Sequence, residues 1–199
     1  MSTAGAGSSR PAALRFLASA AFFAIDSFVP LMLVETRGLS IGAAGIVITA
    51  SALAWAAGSW WQSRVIGRLG TRRLTAFGAI LIGIGAAVVA AGLLDVPLVV
   101  PYVGWAIGSV GMGIVFPTIP LSVMGEVEEG REAGELSSMI LMDYLGVGIG
   151  AGLGGASVAL ADAGTISIEA GLAGAFAIGI VAAVLLVLVA RRLPDARPA

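Results

Sequence analysis

The chain contains no cysteine, no histidine and no lysine among its 199 residues. The first two absences remove disulfide frameworks, thiol nucleophiles, the common zinc and haem ligand sets and imidazole acid-base chemistry together. Without lysine there is no G-x-x-x-x-G-K-[ST] phosphate loop, which excludes nucleotide chemistry of that kind. Charge of either sign is scarce: 12% of residues are charged, where a soluble domain needs about 25% to cover its surface. The net charge is −1, and the arginines fall in short clusters between apolar runs, so no continuous basic face is available for nucleic acid. The expectation is a protein that is not an enzyme, uses no cofactor or metal, and draws on an ion gradient for any energy it spends.

What remains is mostly oil. Hydrophobic residues make up 58% of the chain and the mean hydropathy is +1.02. A hydrocarbon core of about 30 Å takes roughly 20 helical residues to cross. Six runs reach that length, predicting helices at about 13–34, 41–63, 74–94, 96–124, 136–161 and 168–190. None alternates with period two and each is too long for an outer-membrane strand, so a β-barrel is disfavoured. The predicted fold class is all-α: a polytopic transmembrane bundle of six helices in a lipid bilayer. Residues 1–12 and 193–199 read as polar, disordered ends.

Short links make consecutive helices antiparallel, so six crossings return both ends to one side. Arg10 and Arg15 stand before the first apolar run, Arg64, Arg68, Arg72 and Arg73 in the second link, Arg131 in the fourth, and Arg191, Arg192 and Arg197 after the sixth; only Arg37 falls opposite. The positive-inside rule makes that side the cytoplasm and the location the cell's inner (plasma) membrane. Glu126, Glu128, Glu129, Glu132 and Glu135 in the fourth link weigh little, because acidic residues orient helices weakly. Trp60 and Trp61 beside Arg64, and Tyr102 toward the other side, read as interfacial anchors.

Within the apolar runs themselves, which begin at about Phe16 in the first span and Ala170 in the sixth, Asp26 and Asp143 are the ionisable residues. A lone carboxylate near the bilayer centre costs about 2.5 kcal/mol or more, so Asp26 should meet a wet cavity or a partner, as a proton site or as a sealed, hydrogen-bonded acid. Pro30, one turn on, frees a backbone carbonyl and predicts a kink. Asp143 heads a stripe of Gly146, Gly150 and Gly154, spaced to share one helical face, with Gly155 alongside. Small residues let helix backbones approach closely in lipid, so this face should pack on another helix and carry Asp143 inward. Ser51, Trp55, Ser59 and Gln62 form a weakly polar stripe on the second helix, which either lines a substrate path or bonds adjacent helices.

Ser63-Arg-Val-Ile-Gly-Arg-Leu-Gly-Thr-Arg-Arg73 resembles the signature cytoplasmic loop of the major facilitator superfamily, G-x-x-x-D-R-x-G-x-R-R: Arg68, Gly70, Arg72 and Arg73 match, while Ser63 and Gly67 replace the glycine and aspartate. Gly146-x-x-x-Gly150-Ala151-x-x-Gly154-Gly155 is similar to that family's antiporter motif, with Ala151 where proline is usual. The fourth helix, with Gly104, Trp105, Gly108, Gly111 and Gly113 before Pro117 and Pro120, looks like the tenth helix of actinobacterial drug-efflux members. The resemblance implies the carboxy-terminal half of such a transporter. It further implies a proton-coupled exporter of small amphipathic or drug-like molecules, with transport roles for Asp26 and Asp143.

Such a transporter has two six-helix bundles and this chain supplies one. A second bundle is therefore an expected partner, either a missing first half or a second copy, and the resemblance turns the glycine stripe toward it. The competing reading is a truncated or non-transporting bundle with a structural or regulatory role.

Overall fold

The computed structural model of the protein describes residues 9–124 and 132–193. Seven helices are present among them and no strand: α1 (Ser9–Asp26), α2 (Val29–Glu35), α3 (Ile41–Leu69), α4 (Thr71–Ala91), α5 (Val99–Met124), α6 (Glu132–Asp162) and α7 (Ile168–Ala190). Six segments are long and apolar enough to cross a membrane, α1 and α2 together forming the first, Arg10–Glu35. The chain is a multi-pass membrane protein. The expectations placed on residues 1–8, on Arg131 and the glutamates at 126, 128 and 129, and on the tail from 194 onward lie outside the described residues.

Local chemistry sets the element ends. Pro30 has no N–H to give the carbonyl four residues back, that of Asp26, and the chain turns at Ser27 and Phe28 between α1 and α2. Ser40 and Ser167 cap α3 and α7, accepting hydrogen bonds from the Ala43 and Ala170 amides at 3.3 and 3.2 Å. Gly70, at φ +78°, ends α3 and begins α4 in one residue, a conformation glycine adopts without a Cβ clash. The stretch from Ser63 to Arg73 is therefore helical except at Gly70, not a loop. The apolar run ends near Gln62, but arginine is a good helix former whose long stem can carry its charge away from the helix, so α3 continues to Leu69. At the opposite end Arg37 donates to the carbonyls of Gly92 (2.9 and 3.1 Å) and Leu94 and lies 3.7 Å from Asp95. The one arginine on that side thus caps the C-terminus of α4.

The helices form two layers. One runs α3, α5, α1, α6 from edge to edge; α4 and α7 lie behind it, α4 against α5 and α7 against α1, α6 and α4. Glycines set the closest spacings. A Cβ built on Gly111 would sit 2.5 Å from the Gly78 carbonyl oxygen, and one on Gly78 2.7 Å from that of Gly111, so α4 and α5 touch through their backbones. Trp105, Met112, Ile25, Ile82, Leu172 and Phe176 fill the buried centre. Ile46, Leu53, Ile140, Leu141, Leu153, Val181 and Leu188 face outward, as lipid permits and water would not.

α5 carries two prolines in its interior and stays helical. Pro117 and Pro120 leave the carbonyls of Gly113 and Phe116 without intrahelical donors. Ser59 of α3 donates to the first at 2.9 Å, and Arg15 of α1 donates to the second at 2.9 Å. The polar side chains of both neighbours are thereby fixed by gaps in the α5 backbone.

Candidate functional site

Arg15 lies inside α1 and is 8% exposed, so the first span holds a third ionisable group that reading it as the helix's flanking charge misses. Its Nε is 3.2 Å from Asp143 Oδ1 on α6, and Nη2 donates to Oδ2 over a long 3.5 Å. Nη1 holds the Phe116 carbonyl, and the guanidinium lies flat over the Phe116 ring, 3.3 Å from its centroid. Ser19, one turn after Arg15, donates its hydroxyl to Asp143 Oδ1. Although Nε is within ion-pair distance, its N–H is not directed at the carboxylate and has no hydrogen-bond acceptor. One arginine thus ties three helices, α1, α5 and α6, around a carboxylate that is neutralised in place.

Asp26 sits at the other end of α1, at the proline break. Its Oδ1 accepts a hydrogen bond from the Trp105 indole N–H at 2.7 Å. It takes part in neither the Arg15–Asp143 pair nor the Arg37–Asp95 pair. The partner is an indole on α5 and not Ser27, whose hydroxyl turns back to the Phe23 carbonyl at 2.9 Å. Asp26 and Asp143 are therefore chemically unlike: one has a neutral donor beside it, the other a cation.

Aromatic rings join them. Trp105 stacks on Phe22 (centroids 4.7 Å apart, 28° between planes), Phe22 meets Trp55 edge to face at 5.2 Å, and Trp55 meets Phe116 at 5.3 Å. Phe116 then supports Arg15. Four rings from α1, α3 and α5 make an unbroken path between the two acids, each contact worth about 1 kcal/mol beyond its area. Phe22, Phe116 and Ser19 escape the sequence reading altogether, and Trp105 and Arg15 appear in it only as a helix-motif residue and a flanking charge. A signal for Arg15 exists: Pro120 guarantees a carbonyl in need of a donor, and few polar side chains lie within the spans.

The stripe on α3 turns inward to α5. Ser51 shares a hydrogen with Ser109 at 2.7 Å, Ser59 serves Gly113, Gln62 donates to Thr118 at 3.1 Å, and Trp55 joins the ring path. All three polar members of the stripe thus bond to α5. The glycine stripe also packs within the bundle, on α1. A Cβ on Gly150 would meet the Ala20 carbonyl oxygen at 2.5 Å, one on Gly154 would meet the Phe28 ring at 2.6 Å, and one on Gly146 would strike the Phe16 carbonyl. Gly155 has only an ordinary contact with Phe28, at 3.8 Å. The resemblance turns this face toward a second bundle; in the structure it packs on α1 and the turn that follows, with Asp143 beside Arg15 and Ser19. Arg68 and Arg73 are exposed around buried Gly70, and Arg72 is partly buried. Arg64 lies over the Trp60 ring at 3.6 Å.

No protein-family profile matches the sequence, and no curated protein matches it. Among solved structures the chain is similar to a mutant of the peptide transporter POT in complex with sulfate, at 18% sequence identity and a TM-score of 0.74. The match covers 96% of this chain and 39% of that one, so the chain spans about two fifths of that transporter's length. At this identity the likeness shows the fold alone, a bundle of six membrane-length helices arranged as in that part of the transporter.

Proposed function

We propose that the chain is one half of a proton-coupled secondary transporter in the cell's inner membrane, exporting small amphipathic or drug-like molecules with a second six-helix bundle opposite it. The observation that carries this reading is Asp26. A carboxylate within a span, at a helix break, with an indole donor and no ion-pair partner among the described residues, can gain and lose a proton without breaking an ion pair. Broken helices are where secondary transporters place ion and substrate sites, and the half-buried Trp55, Phe23 and Phe116 offer apolar surface to an amphipathic ligand nearby. The positive-inside distribution of arginine supports cytoplasmic ends, and the drug-efflux resemblance of α5 with the antiporter-like glycines of α6 supports export.

Asp26→Asn keeps an oxygen for Trp105 and removes the titrating proton. In inverted vesicles from cells expressing the chain, the variant should insert to the normal level and lose pH-gradient-driven movement of an amphipathic dye. Undiminished dye movement would remove Asp26 from the coupling step.

A further inference from the structure

α4 and α7 meet at Gly83, where an added Cβ would lie 3.7 Å from that of Ala183. From that contact a groove of about 580 Å³ opens between the two helices toward the end of the bundle that holds Arg37. Its walls are short side chains, Ala87 and Ala91 on α4 and Ala173 and Ala177 on α7, with Ile180 deepest and Glu169 the one charged residue lining it. From Glu169 to Ile180 the groove is about 16 Å long at the helical rise, about half of a ~30 Å hydrocarbon core. Ala87, Ala173 and Ala177 are exposed on membrane-length helices, so the groove opens sideways into one leaflet. An apolar cleft left empty there forfeits dispersion contacts along both walls, and in lipid such contacts are what hold surfaces together.

Size and charge select the occupant. Even the whole open space of the groove, about 980 Å³, leaves a cross-section of about 61 Å² over that length, whereas a helix 10 Å across needs roughly 80 Å². A single hydrocarbon chain enters where a helix does not. Among the described residues this end of the bundle carries Glu35, Asp95, Asp162 and Glu169 against Arg37, whose guanidinium is held by the Gly92 and Leu94 carbonyls beside Asp95. The Glu169 carboxylate, at the start of α7, accepts from its own amide and the Ser167 hydroxyl and is fully exposed. A carboxylate has about four acceptor positions, so room is left for a further donor. An ammonium headgroup complements this end, and an anionic headgroup without an amine is repelled by it. We propose that the groove is a lipid site, taking one acyl chain of phosphatidylethanolamine along the alanines while the headgroup ammonium donates to Glu169. The site uses neither Asp26 nor Arg15 and stands apart from the transporter reading.

The test is native mass spectrometry of the full chain in dodecyl maltoside, offered equal amounts of phosphatidylethanolamine and phosphatidylglycerol with matched acyl chains. Wild type should retain one lipid and favour the ethanolamine form about threefold, the size expected of an exposed ion pair. Ala173→Trp fills the groove from one wall and Ala87→Trp from the other, and each should lower the retained fraction about tenfold. Both positions are exposed, so the thermal midpoint should stay at its wild-type value and separate loss of lipid from loss of fold. Leu153→Trp, which puts the same ring on the exposed face of α6, should leave retention unchanged. Glu169→Gln should keep the lipid and bring the two headgroups level. Retention that survives both groove tryptophans, or a headgroup preference that survives Glu169→Gln, overturns the proposal. So does a mass of two chains in place of one chain with lipid, which would give the groove to a second copy. Dye movement in inverted vesicles is a separate readout, so failure here leaves the role of Asp26 standing.

Discussion

Two pairs of helices in the same layer are used in opposite ways. Over their most apolar stretches, 56% of residues are buried in the first span and in α5, against 22% in α3 and α6. The inner pair carries Arg15, Asp26, Trp105 and the two proline-freed carbonyls. The outer pair approaches it through one face each and turns Ile46, Leu53, Ile140, Leu141 and Leu153 away from the bundle. Where a helix is enclosed, every polar group must be answered by a neighbour, and the answers are what make chemistry possible. Where it is open to lipid, apolar side chains suffice and substitution is cheap.

The two faces of α6 give the sharpest way to break that contrast. Gly150→Leu would drive a side chain into the α1 backbone at Ala20, a clash no rotamer relieves, and the loss should exceed about 3 kcal/mol. Gly148→Leu, on the same helix with nothing within 4 Å of its Cβ, should be neutral. Recovery of monodisperse chain and its thermal midpoint in detergent measure both. Comparable losses would mean that the outer face of α6 is packed as tightly as the inner one.

Next in size is the ion pair. Arg15→Ala leaves the Asp143 carboxylate with the Ser19 hydroxyl but no cation, and the Phe116 carbonyl with no donor, and should cost roughly 3 kcal/mol; Asp143→Asn leaves the Arg15 cation unpaired but still bonded to the Phe116 carbonyl, and should cost less. Unfolding both single variants and the double variant in a double-mutant cycle checks this. Additive losses would show that the two side chains do not sense each other. Trp105→Phe is milder. It removes the indole donor from Asp26 but keeps the stack on Phe22, so about 1 kcal/mol is expected.

These predictions also mark what could be read from residue order. Six spans, the break at Pro30 and the close-packing role of Gly146, Gly150 and Gly154 follow from hydropathy, proline chemistry and helical spacing, which are local properties; the ends of α3 and α6, which run past their apolar stretches, do not. Arg15 did not, because an arginine at the margin of an apolar run looks the same whether it meets water or a carboxylate 128 positions away. The partner of the glycine stripe was equally hidden: spacing shows that a helix will press on that face, and only the topology shows that the helix is α1. The bond from Trp105 to Asp26 crosses 79 positions and has no periodic signature at all.

The smallest effect tests the idea that the neighbours of α5 are fixed by gaps in its backbone. Ser59→Ala should cost about 1 kcal/mol, since it leaves the Gly113 carbonyl without a donor in an apolar setting. Pro117→Ala restores an N–H four residues on, closing the gap from within the helix. In that background Ser59→Ala should cost almost nothing, because the hydroxyl is then redundant. A cost that persists in the Pro117→Ala chain would mean that Ser59 stabilises the α3 contact by some route other than the carbonyl. The interior would then differ from the flanks in packing alone, and not in the need to answer polar groups.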